Sequence, residues 1–139
     1  MLSTSRRLAY AALTVFAAAC CHNEATYVLS APDSSRVAIL YHRDCGAMAG
    51  FGYHLSVVKS GSKPPWGLGN AVTFLNRDSL APGVPRRRTV ALLWVSSTQL
   101  LVAYDTTNTR AIRNAGTVRG IGVVLHAGIP DGLRAIPEP

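Results

Sequence analysis

Charge is scarce in this chain: charged residues make up 15% of its 139 residues, and only 7 of them are acidic. Hydrophobic residues reach 48%, which excludes a disordered polar chain and allows a buried core. No internal apolar run approaches the roughly twenty residues a bilayer-crossing helix needs, which argues against an internal span. The length admits one domain with short appendages and excludes two or three enzyme domains. A Gly-rich phosphate loop, a G-x-S-x-G elbow and an H-E-x-x-H helix are all missing. With 3 cysteines and no C-x-x-C pair, the spacing expected of a zinc site is absent too, so no metal or cofactor is expected.

What is present begins at the N-terminus. Arg6 and Arg7 precede Leu8–Ala19, twelve uncharged and largely apolar residues that end in Ala17-Ala18-Ala19, small side chains suited to a peptidase pocket. This order is that of a secretory signal. Twelve helical residues rise about 18 Å, well short of a hydrocarbon core of about 30 Å, so a permanent span is not expected. Ala18-Ala19-Cys20 resembles the bacterial lipobox, in which the cysteine is lipidated and becomes the first mature residue. The resemblance implies diacylglycerol and an amide-linked chain on Cys20, and several acyl chains at about 0.8 kcal/mol per methylene hold a protein firmly on a membrane. Cys21 is the poorer acceptor, because Cys20 would then stand where Ala or Gly is usual. Ordinary cleavage after Ala19, with a free periplasmic or secreted product, is the competing expectation. In lipoproteins of this type an Asp after the lipidated Cys signals inner-membrane retention, so Cys21 in that place favours the periplasmic face of the outer membrane.

Removal of residues 1–19 leaves 12 basic against 7 acidic side chains, a balance of +5. The densest cluster is Arg86-Arg87-Arg88, read either as contacts to an anionic partner or as a solvated loop that blunts a strand edge. Export argues against nucleic acid as that partner. Two thiols remain, Cys21 and Cys45, in a compartment where disulfides persist. A bridge would close a loop of about 25 residues and contribute about 3 kcal/mol, whereas Cys45 buried as a small apolar side chain is the alternative.

Past a short tether, Ser30–Ser35 is a turn-forming cluster. Period-two alternation follows in Arg36–Arg43 and most clearly in Phe51–Val58. Lys59–Gly69 is a Pro/Gly-rich loop in which Trp66 is read as a lid over the core. Ala71–Leu75 is a short candidate strand, Arg88–Asp105 reads as an antiparallel hairpin with Trp94 near its centre, and Val118–His126 as a last strand whose Gly120 and Gly122 suggest a bulge or a close backbone approach. Thr106–Gly116 is polar and reads as loop or a brief helical turn. The chain therefore divides into a signal (1–19), a tether with the first turn or strand (20–35), a β domain (36–128) and a tail (129–139). The fold class is all-β or nearly so, a small antiparallel sheet curled into a sandwich or partial barrel.

Arg43-Asp44-Cys45-Gly46-Ala47, followed by Gly50-Phe51 and Leu55-Ser56-Val57, resembles the R-D-C-G-A-x-x-G-F signature of a family of small exported bacterial proteins and lipoproteins. Ser30-Ala31-Pro32-Asp33, Gly69-Asn70, Trp94, Leu100–Tyr104 and Val118–Ile121 match its other landmarks, and Met48-Ala49 stands where Thr-Thr is usual. The resemblance implies an exported β unit in which Arg43, Asp44, Cys45, Gly46, Gly50 and Phe51 are structural, and it implies no activity.

One constellation suggests chemistry. His42 and His54 on paired strands would face one side near Cys45, as a Cys–His couple needs. Against it, Arg43 and Asp44 read as an ion pair or turn cap with Cys45 buried. The expected function is accordingly a non-catalytic, lipid-anchored binding or accessory domain of the cell envelope, with the membrane and an envelope protein as partners. An immunity- or inhibitor-type lipoprotein and a Cys45-dependent hydrolase or redox protein are the alternatives.

Overall fold

The structure, a computed structural model, describes residues 21–45, 52–63, 67–76, 90–107 and 109–133. Among these residues there are nine strands and no helix: β1 (His22–Ser30), β2 (Arg36–Asp44), β3 (Gly52–Lys59), β4 (Val72–Asn76), β5 (Val90–Ser96), β6 (Gln99–Tyr104), β7 (Thr109–Asn114), β8 (Thr117–Val118) and β9 (Ile121–Ala127). They form a five-stranded sheet in the order β1-β2-β3-β4-β7 and a four-stranded sheet in the order β5-β6-β9-β8. The two sheets stack as a sandwich and do not close into a barrel. One face of each supplies the core: Leu40, Leu55, Val57, Val72 and Phe74 of the first sheet meet Leu92, Trp94, Leu100, Val102, Ile121 and Val123 of the second. The indole Nε1 of Trp94 donates to the carbonyl of Leu29 at 3.0 Å, tying β5 to β1 across the interior.

Alternation explains β2 and β3 directly. Ala38, Leu40, Leu55 and Val57 face the core, while Val37, Ile39, Tyr41 and Val58 form a second, smaller cluster on the outer face of the same sheet. The turn between β1 and β2 is set by Asp33, whose Oδ1 accepts from the backbone N–H and hydroxyl of Ser35 at 3.0 and 2.8 Å, while Ser34 takes a φ of 58°. Those two bonds to Ser35 hold the Asp33 carboxyl below its ordinary pKa.

Four sequence expectations change. In the 20–35 segment, read as a tether with the first turn or strand, β1 already begins at His22 and is paired from His22↔Asp44 to Ser30↔Val37. A bulge between Ala25 and Tyr27 displaces Thr26, whose hydroxyl bonds the Leu40 carbonyl at 3.1 Å, and this breaks the alternation that would have exposed the strand to a sequence reading. The polar Thr106–Gly116 segment contains β7, an edge strand that needs few apolar residues because only Ala111 and the buried Thr109 turn inward. The second sheet is mixed and not wholly antiparallel: β9 runs parallel to β6, because the chain leaves β6, crosses to the first sheet as β7 and returns through β8. Finally, Gly120 is not a bulge. Arg119 and Gly120, with φ of 50° and 81°, make the two-residue turn of the β8–β9 hairpin, the geometry of a type I′ turn. Gly46, Gly50, Phe51, Trp66 and Arg86–Arg88 lie outside the described residues, as does Cys20.

Candidate functional site

The outer face of the five-stranded sheet, at the end where β1 begins and β2 ends, carries Arg43, His54, Arg110 and Arg113. Register defines two neighbouring rows there, since directly opposed residues share a face. One runs Asn23, Arg43, Gly52, Leu75, Arg110 across β1, β2, β3, β4 and β7. The next runs Ala25, Tyr41, His54, Thr73, Arg113. Position 52 admits only glycine, since a Cβ there would lie 2.8 Å from the Phe74 carbonyl oxygen.

Cys21 and Cys45 are bonded to each other at the corner of this face, just beyond the first pairs of β1 and β2. Arg43 lies at the same corner. Its guanidinium lies along the disulfide, with Nε donating to Cys45 Sγ at 3.2 Å and Nη2 to Cys21 Sγ at 3.3 Å. Asp44 is exposed opposite His22. The expected His42–His54 couple does not form on one face. Tyr41 opposes His54 and His42 opposes Tyr53, so the two imidazoles project from opposite sides of the sheet. Cys45 itself, bonded to Cys21, has no thiol to share with either.

His54 is instead a structural acceptor. The backbone N–H of Gly69 donates to its Nδ1 at 3.3 Å, and Thr73 Oγ1 lies 3.3 Å from the same atom. An N–H can only donate, so Nδ1 is unprotonated and Nε2 carries the hydrogen. Burial pushes the His54 pKa down to about 4, with the positive charge of Arg43 and then His42 acting in the same direction. Its ring stacks on Tyr41 with centroids 5.4 Å apart, and the Tyr41 hydroxyl donates to the Gly67 carbonyl at 2.6 Å. Burial raises the Tyr41 pKa.

Both contacts come from residues 67–70, which fold back across β3. Asn70 acts as an extra strand residue: its Oδ1 accepts from the Val57 N–H at 2.8 Å and its Nδ2 donates to the Val57 carbonyl at 2.9 Å. Gly69 makes the approach possible, since a Cβ there would collide with the Leu55 carbonyl oxygen.

Chemically, this arrangement offers a cationic, partly apolar surface with no free nucleophile at Cys45. Among the described residues, no group of three or more His, Cys, Asp or Glu is placed to hold a metal ion. No family model, curated protein or solved structure matches the chain. Of the residues singled out in the sequence, Cys21, Arg43 and Cys45 come together here, with Asp44 beside them. Tyr41, Thr73 and the two arginines of β7 were missed, and Gly69-Asn70 was noted only as a landmark of the resembled family. Gly69-Asn70 carried a usable signal, a Gly-Asn pair closing a Pro/Gly-rich loop immediately before a strand.

Proposed function

We propose that the protein is an exported, lipid-anchored domain of the bacterial cell envelope that works by binding, not by catalysis. The observation that carries this reading is the Cys21–Cys45 disulfide. Such bonds persist in oxidising compartments, where the signal at residues 1–19 would deliver the chain. The resemblance of Arg43–Phe51 to small exported bacterial proteins points the same way. A binding role is supported by what the would-be catalytic groups are doing. The Cys45 sulfur is bonded, His54 Nδ1 accepts from the backbone, and Arg43 lies on the disulfide. A hydrolase dependent on Cys45 would need a thiolate that the bridged state lacks.

Cys20 is the anchoring residue in this reading, and the periplasmic face of the outer membrane is the destination. The test is metabolic labelling of the full chain with a radiolabelled fatty acid. Wild type takes up label and Cys20→Ala does not. An unlabelled wild type, or label retained by Cys20→Ala, would overturn the anchor.

A further inference from the structure

We infer that the outer face of the five-stranded sheet, at its disulfide end, is a membrane-contact surface whose arginines bind the phosphates of anionic lipid headgroups. The inference rests on the anchor reading above and gives the anchored domain an orientation.

Three observations carry it. First, Tyr41, His54 and Thr73 are buried at the middle of this face, the strand positions around them include Arg43, Arg110 and Arg113, and no strand position on the face is Asp or Glu. The acidic residues of β1 and β2, Glu24 and Asp44, alternate to the other side. A surface of one sign faces an anionic bilayer favourably, at about five-fold in affinity per arginine near the headgroups. Second, exposed apolar side chains are interleaved with these arginines. Leu75, 39% exposed, stands directly opposite Arg110. Ile112, 50% exposed, falls at the β4–β7 register shift between Arg110 and Arg113. Leu68, 62% exposed, follows Gly67, where a Cβ would lie 3.7 Å from Arg43 Nη1. Cationic groups beside exposed apolar ones are what the interfacial region of a bilayer accepts, charge at the phosphates and hydrocarbon just below.

Third, the anchor falls at this corner. Cys20 is the neighbour of Cys21, consecutive Cα atoms are about 3.8 Å apart, and Cys21 Sγ is 3.3 Å from the Arg43 guanidinium. Because β1 starts at His22 and Cys21 is bonded to Cys45, acyl chains on Cys20 would bring this corner of the sandwich to the lipid surface.

The experiment uses the full mature chain from residue 20, which holds every described strand and the disulfide. It is exported behind an ordinary cleavable signal with Cys20→Ser, so that no acyl chain is attached. Co-sedimentation is measured with phosphatidylglycerol vesicles and with phosphatidylcholine vesicles at low ionic strength. The surface predicts binding to the anionic vesicles only, weakening with salt. Arg110→Gln with Arg113→Gln lowers that binding about thirty-fold, with an unchanged melting temperature. Leu75→Asn lowers it without changing the salt dependence. Lys59→Gln with Lys63→Gln, an equal loss of charge at exposed positions at and beyond the far end of β3, leaves it unchanged. Absence of binding to phosphatidylglycerol overturns the inference, as does equal loss in both double variants. Displacement by millimolar glycerol phosphate also overturns it, by assigning the arginines to a small soluble anion. Failure of the anchor is read separately, from the fatty-acid labelling of wild type.

Discussion

His54 is the residue whose chemistry is most changed by folding, and its effect on stability has a definite sign. Its folded pKa of about 4 lies below the ordinary 6.5, so the unfolded chain binds the extra proton more readily. The contribution is therefore present above about pH 6.5 and is lost as pH falls toward 4. Protonation would also place an N–H at Nδ1 against the Gly69 N–H. Urea midpoints measured from pH 7 to pH 4 should fall across that window, and His54→Asn, which can still accept from Gly69, should show a shallower fall. A signal assigned to the His54 imidazole and titrating near 6.5 in the folded protein would contradict the buried neutral state. A second residue-scale prediction concerns Asn70. Asn70→Ala leaves the N–H and carbonyl of Val57 without the partners they have now, which should cost about 1–3 kcal/mol in chemical unfolding. A loss below about 0.5 kcal/mol would mean that water replaces the amide freely.

At the scale of elements, legibility followed the hydrophobic pattern. β3 could be read from alternation because Tyr53, Leu55 and Val57 face the core while Gly52, His54 and Ser56 take the other side, and β2 because its apolar residues hold one extended run from Val37 to Tyr41. β1 and β7 could not, each for its own reason. A bulge at Thr26 shifts the phase of β1, and β7 is an edge strand whose exposed Arg110, Ile112 and Arg113 outnumber its inward residues. The parallel pairing of β6 and β9 was equally hidden, since it depends on β7 joining the opposite sheet, a long-range choice with no local signature. The β8–β9 turn yields a prediction of its own. Arg119 holds a left-handed conformation that Asn adopts more readily. Arg119→Asn should raise stability by roughly 0.5–1 kcal/mol, seen as a melting temperature a few degrees higher. A lower melting temperature would show that the Arg119 side chain makes a contribution larger than its backbone cost.

For the whole molecule, the candidate site was half-legible. The motif around Cys45 drew notice to Arg43 and the cysteines, but the histidine couple inferred from neighbouring strands failed by one step of register. A single-residue shift sends a side chain to the other face, and nothing in the sequence fixes the β2–β3 register to within one residue. The disulfide joins the start of β1 to the end of β2 at one corner of the sheet. Cys21→Ala with Cys45→Ala should cost about 3 kcal/mol by the loop it opens. It should also free Arg43 from the sulfurs while leaving the sandwich core in place.

The most direct test of the central claim, an exported domain anchored at Cys20 and bridged from Cys21 to Cys45, is the intact mass of the protein extracted from the membrane fraction. It is taken after thiol alkylation, with and without prior reduction. The account predicts a chain beginning at Cys20 and carrying acyl chains, with no alkylated thiol before reduction and two after it. A soluble, unacylated chain, or one that alkylates at both cysteines without reduction, would contradict it.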